Sequence, residues 1–349
     1  MKKYYLSMVF LVVVIGLVIV IGGVSYRIGI SPVDRNNEDP IIIEITPGST
    51  YHSIGELLKE NNLIRSISFY RVYIWIFKPD NLQAGIYTFN QSMGVSDIID
   101  ILENNKKDTL RFTIPEGRRF LDVVKRISDI TYFEEEELIS IWNSREFVDS
   151  AIDKYWFITN EVKNPNLRFS LEGYFFPDTY TLNSSATAEQ IGYMMLDRMD
   201  QILTRYKEEI EASKFTVHEI LTMASIVEHE ATTDEDRSKV AAVFFNRLNI
   251  NMRLQSCATL GYAIGEWKLI YNYQDMAYNS PYNTYLHYGL PVGPGGLPGE
   301  KSIIATLRPA NVTYLFFMAN TLCPPDNQTY FARTYAEHQQ NIRTHLKAC

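Results

Sequence analysis

Cysteine is scarce in this chain: Cys257, Cys323 and Cys349 are its three thiols in 349 residues. So few, and an odd number, exclude a disulfide framework, and their separation offers no zinc-ligand spacing. Positive charge is in deficit too. With 33 Lys and Arg against 41 Asp and Glu, the net charge is −8, which argues against a nucleic-acid partner. A phosphate loop is missing: Gly289–Ile303, GLPVGPGGLPGEKSI, is rich in glycine and proline but lacks the G-x-x-x-x-G-K-[ST] spacing. No clear A-x-A cleavage site follows the first apolar stretch, although Gly22, Gly23 and Ser25 are small.

Apolar residues are plentiful, at 46%, and aromatics reach 13%, enough for two or three domains with real cores. Leu6 to Val24 is an essentially unbroken apolar run, long enough to span a bilayer as a helix. Lys2 and Lys3 favour a cytoplasmic N-terminus, and Tyr4, Tyr5 and Tyr26 stand where interfacial aromatics belong. The expectation is an uncleaved single-pass anchor over 1–27, with the bulk of the chain on the outer side of the cytoplasmic membrane. A polar, proline-bracketed linker follows over 28–39.

From residue 40 a strand–turn–helix pattern recurs three times: IIIEITPGSTYHSIGELL, GIYTFNQSMGVSDIIDIL and LRFTIPEGRRFLDVVKRI. Helices are predicted at Tyr51–Glu60, Val95–Glu103 and Phe120–Ile127, with a further one at Ile67–Phe77. Modules this small must pack together, giving an α+β region over 40–128. Tyr132–Phe157 reads as helical, its acidic run Glu134–Glu137 complementing a helix dipole rather than holding a metal. LEGYFFPDTY, Leu171–Tyr180, sets Glu172 and Asp178 among aromatics. It fits either the lining of a sugar cleft or a buried aromatic corner with Asp178 capping the next turn.

The chain is organised around Thr216–Thr259. Thr216 and Glu219 form a capping-box pair before a helix, and Thr233 with Asp236 opens a second, Asp234–Asn249. On the first helix, Ile220, Ala224, Val227 and Ala231 make the apolar stripe; Glu228 falls roughly 80° from its centre and Glu230 about as far on the other side. A carboxyl at such a margin is either structural or a general acid with a pKa raised by desolvation. Periodicity does not choose between them. His229 points to the polar face. A polar strip, Met252–Thr259, comes next, and Gly261–Tyr278 reads as a hairpin or long loop. Gly289–Ile303 forms an extended wall, a helix ends before Pro309, Val312–Ala319 is a strand, Tyr330 and Phe331 continue a sheet, and Thr334–Leu346 is a closing helix.

Several segments together resemble one family. ASIVEHEA, VAAVFFNRLNINMRLQS, SPYNTY, GLPVGP, YAEHQQNI and LEGYFFPDTY, in that family's arrangement, are similar to the YceG/MltG family of endolytic murein transglycosylases. Its pattern departs at Leu254–Leu260, where Cys257 and Ala258 replace an Asp-Pro pair, and in the tail, where Gln328–Phe331 replaces a glycine-histidine-phenylalanine run. The resemblance implies an α+β architecture: a transmembrane helix, a LysM-like region over 40–128, and a catalytic domain over 129–349 with a central helix pair. It implies Glu228 as a single acid/base on peptidoglycan glycan strands, with Gln255, Asn283, Tyr285, Glu172 and Asp178 near the substrate. It implies no metal and no cofactor, and cell-wall synthases as partners. One carboxyl suffices when the sugar's own C6 hydroxyl, not water, attacks C1 and leaves a 1,6-anhydro end. A water-using muramidase, with Glu172 or Asp178 as second carboxylate, and a non-cleaving wall-binding scaffold are the competing readings.

Overall fold

The computed structural model describes residues 2–46, 48–79, 82, 84–103, 109–183, 186–268, 270–319 and 328–345, without the side chains of 2–13, 15, 19 and 183. Cys323 and Cys349 lie outside them. The chain divides into two compact units, Met1–Arg111 with Thr181–Ala186, and Phe112–Tyr180 with Thr187–Cys349.

The first unit opens with α1, Lys2–Gly29. Among the described residues no helix is long and apolar enough to cross a membrane, and much of the apolar run of α1 has no described side chains. Strand β1 (Ile41–Ile45), helices α2 (Tyr51–Glu60) and α3 (Ile67–Phe77), strand β2 (Gly85–Phe89) and helix α4 (Val95–Glu103) follow. β1 and β2 pair antiparallel with Ile43 opposite Tyr87. Period-two alternation puts Ile43, Ile45, Tyr87 and Phe89 on one buried face, which meets Ile54 and Leu58 of α2 and Ile98, Ile99 and Leu102 of α4. Thr50 caps α2 through a reciprocal bond with Ser53. The segment after α1 is tied to this unit rather than free: Arg65 donates from Nε to the Pro32 carbonyl at 2.9 Å, and Val95 N–H reaches the Ile30 carbonyl.

The second unit is mostly helical. Strand β3 (Thr109–Thr113) pairs with β4 (Thr179–Asn183), the first three residues of β3 and the last three of β4 belonging to the first unit; between the strands lie α5 (Phe120–Ser128), α6 (Glu135–Trp142), α7 (Arg145–Lys154) and a 3-10 turn at Asn160–Lys163. The apolar side of α5 packs on α6. There the Phe120 ring stacks with Phe169 and Phe175 and meets Trp142 edge-on. Tyr132–Phe157 is two helices, broken where Ser144 caps α7. After β4 come α8 (Ala188–Thr204) and α9 (Lys207–Glu211). Sequence reading passed over α8, although Thr187 and Gln190 form a capping box at its start.

The remaining elements are α10 (Val217–Glu230), α11 (Asp234–Asn249), α12 (Cys257–Ile264), α13 (Tyr273–Met276), α14 (Glu300–Leu307), β5 (Phe316–Ala319), β6 (Thr329–Ala332) and α15 (Tyr335–His345). The hairpin or loop expected over Gly261–Tyr278 is instead the end of α12 and the short α13. Ser256 caps α12 by accepting from Thr259 N–H, and Gly265 ends it in the left-handed region. α10 is the unit's central rod: α11, α12 and α14 all pack on it, and every residue from Ile220 to Val227 is buried.

Candidate active site

Glu228 and Glu230 end α10 on opposite sides. The Glu228 carboxyl is 7% exposed and bonded at both oxygens: Arg237 Nη2 donates to Oε1 at 2.8 Å, and Gly299 N–H to Oε2 at 2.9 Å. Arg237 also pairs with Asp234 and bonds Ser302 Oγ, so Glu228 belongs to a polar clamp joining α10, α11 and α14. His229, expected on a polar face, is covered. Its ring lies 4.7 Å from that of Trp267, burial pushes its pKa down to about 4, and its Nε2 has no partner.

Glu230 faces the other way. Its Oε1 accepts from Ser256 Oγ at 2.6 Å and from Ala258 N–H at 3.1 Å, in the first turn of α12, where the helix dipole favours a negative charge. It lines a cavity of about 350 Å³ together with Gln255, Ser256, Cys257 and Tyr285. Arg247, Phe316 and its neighbours in β5, and Tyr335 and His338 of α15 complete the lining. Glu230 is the sole carboxylate among these lining residues.

Two of the expected substrate residues therefore gather, but around Glu230. Gln255 stands at the cavity in the left-handed region, φ 49°, with its N–H on the Thr284 carbonyl. Such a backbone is strained for a non-glycine residue, and strain of this kind is held where surrounding structure fixes it. Tyr285 lines the same wall, its hydroxyl 3.3 Å from Cys257 Sγ. Packing around that sulfur, reinforced by the charge on Glu230, pushes the thiol pKa up, which makes it a weak nucleophile.

The other three do not reach the cavity. Asn283 is fully buried, donating to the carbonyls of Met276 and Tyr278 and accepting Tyr285 N–H at 2.9 Å, so its amide builds the loop that carries Tyr285. Glu172 is also buried: Phe120 N–H and Tyr262 hydroxyl each donate to it at 2.9 Å, and burial raises its pKa to about 7. Asp178 pairs with Arg198 at 2.7 Å and caps Thr179 N–H. LEGYFFPDTY is thus the buried aromatic corner, with the Tyr174 hydroxyl 2.8 Å from His218 Nδ1. Its Gly173 is required, since φ is +81° and a Cβ would sit 2.3 Å from Pro294.

Arg247, Ser256 and His338 were missed from sequence. Arg247 falls on the buried side of α11 and gives Nε to the Leu315 carbonyl at 2.7 Å and Nη1 to the Leu254 carbonyl. Nothing in periodicity marks it, whereas Ser256, three residues before Thr259, carried a readable cap signal.

A mixed α+β domain with one carboxylate in a polar cleft is a domain equipped for acid–base chemistry. The YceG-like family matches residues 43–344, and the chain belongs to that family. The endolytic murein transglycosylase of Bacillus subtilis (strain 168) is 33% identical over 314 residues, 89% of this chain and 86% of its own. The protein of the same name from Streptococcus pneumoniae serotype 2 (strain D39) is 31% identical over 337 residues, covering 91% of this chain and 60% of its own. A yceG-like protein of Listeria monocytogenes of known crystal structure superposes with a TM-score of 0.63 at 36% identity, over 86% of this chain and 99% of that one.

Proposed function

We propose that Glu230, in place of Glu228, is the single acid/base of this chain, a lytic transglycosylase that cleaves peptidoglycan glycan strands. The protonated carboxyl gives its proton to the glycosidic oxygen leaving C1 of the N-acetylmuramic acid ring. The carboxylate then takes the proton of that sugar's C6 hydroxyl as its oxygen closes on C1, leaving a 1,6-anhydro end. Ser256 Oγ and Ala258 N–H hold the carboxylate between the two transfers. Gln255 and Tyr285 orient the sugar; Asn283 acts through the Tyr285 loop.

The observation that carries the reading is the lone carboxylate of the cavity. Hydrolytic glycosidases with two-carboxylate chemistry need a second one across the scissile bond, and Glu172 and Asp178 are engaged elsewhere. Mass spectrometry of digested glycan tests it. Anhydro ends are expected, reducing ends would indicate a muramidase, and no cleavage by well-folded protein would leave a wall-binding scaffold. The same reading keeps α1 as an inner-membrane anchor with both units on the outer side. Sequencing of the mature N-terminus checks that, since a start after Gly22 would mean release. A LysM-like role for the first unit and contact with wall synthases belong to this proposal as well.

A further inference from the structure

One face of α3 is apolar and exposed among the described residues. Val72, Trp75 and Ile76 are 41%, 75% and 50% exposed. At about 100° per residue they occupy one side of the helix, with Phe69 at its edge. The other side, with Tyr70 buried and Ile67 and Ile74 beside it, packs into the first unit's core. An exposed Trp flanked by β-branched residues is poorly matched to water and well matched to a bilayer interface.

Phe69 is also where α1 docks. A Cβ on Gly29 would lie 2.0 Å from the Phe69 ring, and Tyr26 meets that ring edge-on at 6.2 Å. Arg65, just ahead of α3, bonds the Pro32 and Val33 carbonyls, just beyond the end of α1. As the chain is followed backward from Val33 through Gly29 to Tyr26, its contacts advance from Arg65 to Phe69, so the two helices run antiparallel. The last turn of α3 therefore heads back along α1 toward Val24, where the apolar run of Leu6–Val24 ends. Two exposed basic residues stand at the helix ends involved, Arg27 in the last turn of α1 and Lys78 at the C-cap of α3. An apolar face bounded by cations beside the end of an apolar helix has the chemistry of a segment lying in a lipid headgroup layer.

We propose that α3 rests on the membrane: Val72, Trp75 and Ile76 enter the boundary between headgroups and acyl chains of the leaflet from which α1 emerges, with Arg27 and Lys78 on lipid phosphates. This rests on the anchor reading of α1, and it makes the first unit a seat on the bilayer rather than a tethered body.

The test uses the full chain in phosphatidylcholine vesicles containing phosphatidylglycerol, with and without bromine on the acyl chains. Flotation after an alkaline wash first establishes whether the chain is integrated. Bromolipid is then expected to quench the wild type more strongly than Trp75→Phe, whose Trp142, Trp156 and Trp267 supply the background. If the chain floats but the two proteins quench equally, the α3 inference falls and the anchor stands. If the chain washes off, both fall. If Trp75 is shielded and the chain pairs with a second copy in a way that Trp75→Phe abolishes, the face is a contact between copies and the inference is overturned.

Discussion

Glu228 and Glu230 stand two residues apart on one helix, in surroundings that have little in common. Around Glu228 the protein supplies a guanidinium, a backbone N–H and a second helix to hold that guanidinium, so both oxygens are committed. Around Glu230 it supplies two donors to one oxygen, a helix N-terminus behind it and a cavity in front. Burial alone does not distinguish a structural carboxylate from a working one. What differs is whether a cavity opens beside the carboxylate.

The sharpest way to break this comparison is at Glu230. Glu230→Gln keeps an acceptor for Ser256 and Ala258 but cannot carry a proton, and glycan cleavage is expected to fall by about 10² to 10⁴-fold at unchanged melting temperature. Glu172 sets a third case beside the pair, a buried carboxyl with no ion pair among the described residues. Its pKa rises from 4.5 to about 7 on folding. Through that window the folded state binds more protons than the unfolded one, so stability should fall as pH rises, by on the order of 3 kcal/mol, and level off above it. Denaturant melts at both ends of the window should display the fall, and Glu172→Gln should flatten it.

Glu228→Gln is expected to lower stability by about 3 kcal/mol, the lower end of what breaking a buried pair costs, because Arg237 keeps Asp234. Its folded fraction should still cleave within about tenfold of wild type; if instead it is inert while Glu230→Gln works, the roles are reversed. Gln255→Gly should raise stability while weakening substrate binding. Relief of the left-handed backbone raises stability by about 1 kcal/mol, while loss of the amide at the cavity raises KM. The smallest effect is expected at Cys257. Cys257→Ser should stay within about tenfold, or 1.4 kcal/mol of barrier, and a larger loss in digestion rate would give the thiol a role beside Glu230.

Much of the fold was legible because local rules act within a few residues. Period-two alternation located β1 and β2, and helical periodicity with capping pairs located α2, α4, α10 and α11 to within a residue or so. The short α12 and α13 were not legible, since helices of 8 and 4 residues carry too little periodic signal and begin in a strip rich in polar residues. LEGYFFPDTY could be read two ways from its composition, and only its packing against α5 and α6 chose the buried corner.

By itself the sequence determined the family, the order of the elements, the central helix and the two glutamates that end it. These follow from side-chain period, caps and motif order, which the chain carries locally. Which glutamate faces a cavity was decided by tertiary structure. α10 is packed by α11, α12 and α14, so no solvent face exists from which a wheel could be oriented. The cavity that singles out Glu230 is assembled from α11, the turn before α12, the Tyr285 loop, β5 and α15, segments drawn from more than a hundred residues of chain. Their convergence is set by the packing of apolar faces between distant elements, and helical spacing within α10 carries no record of it.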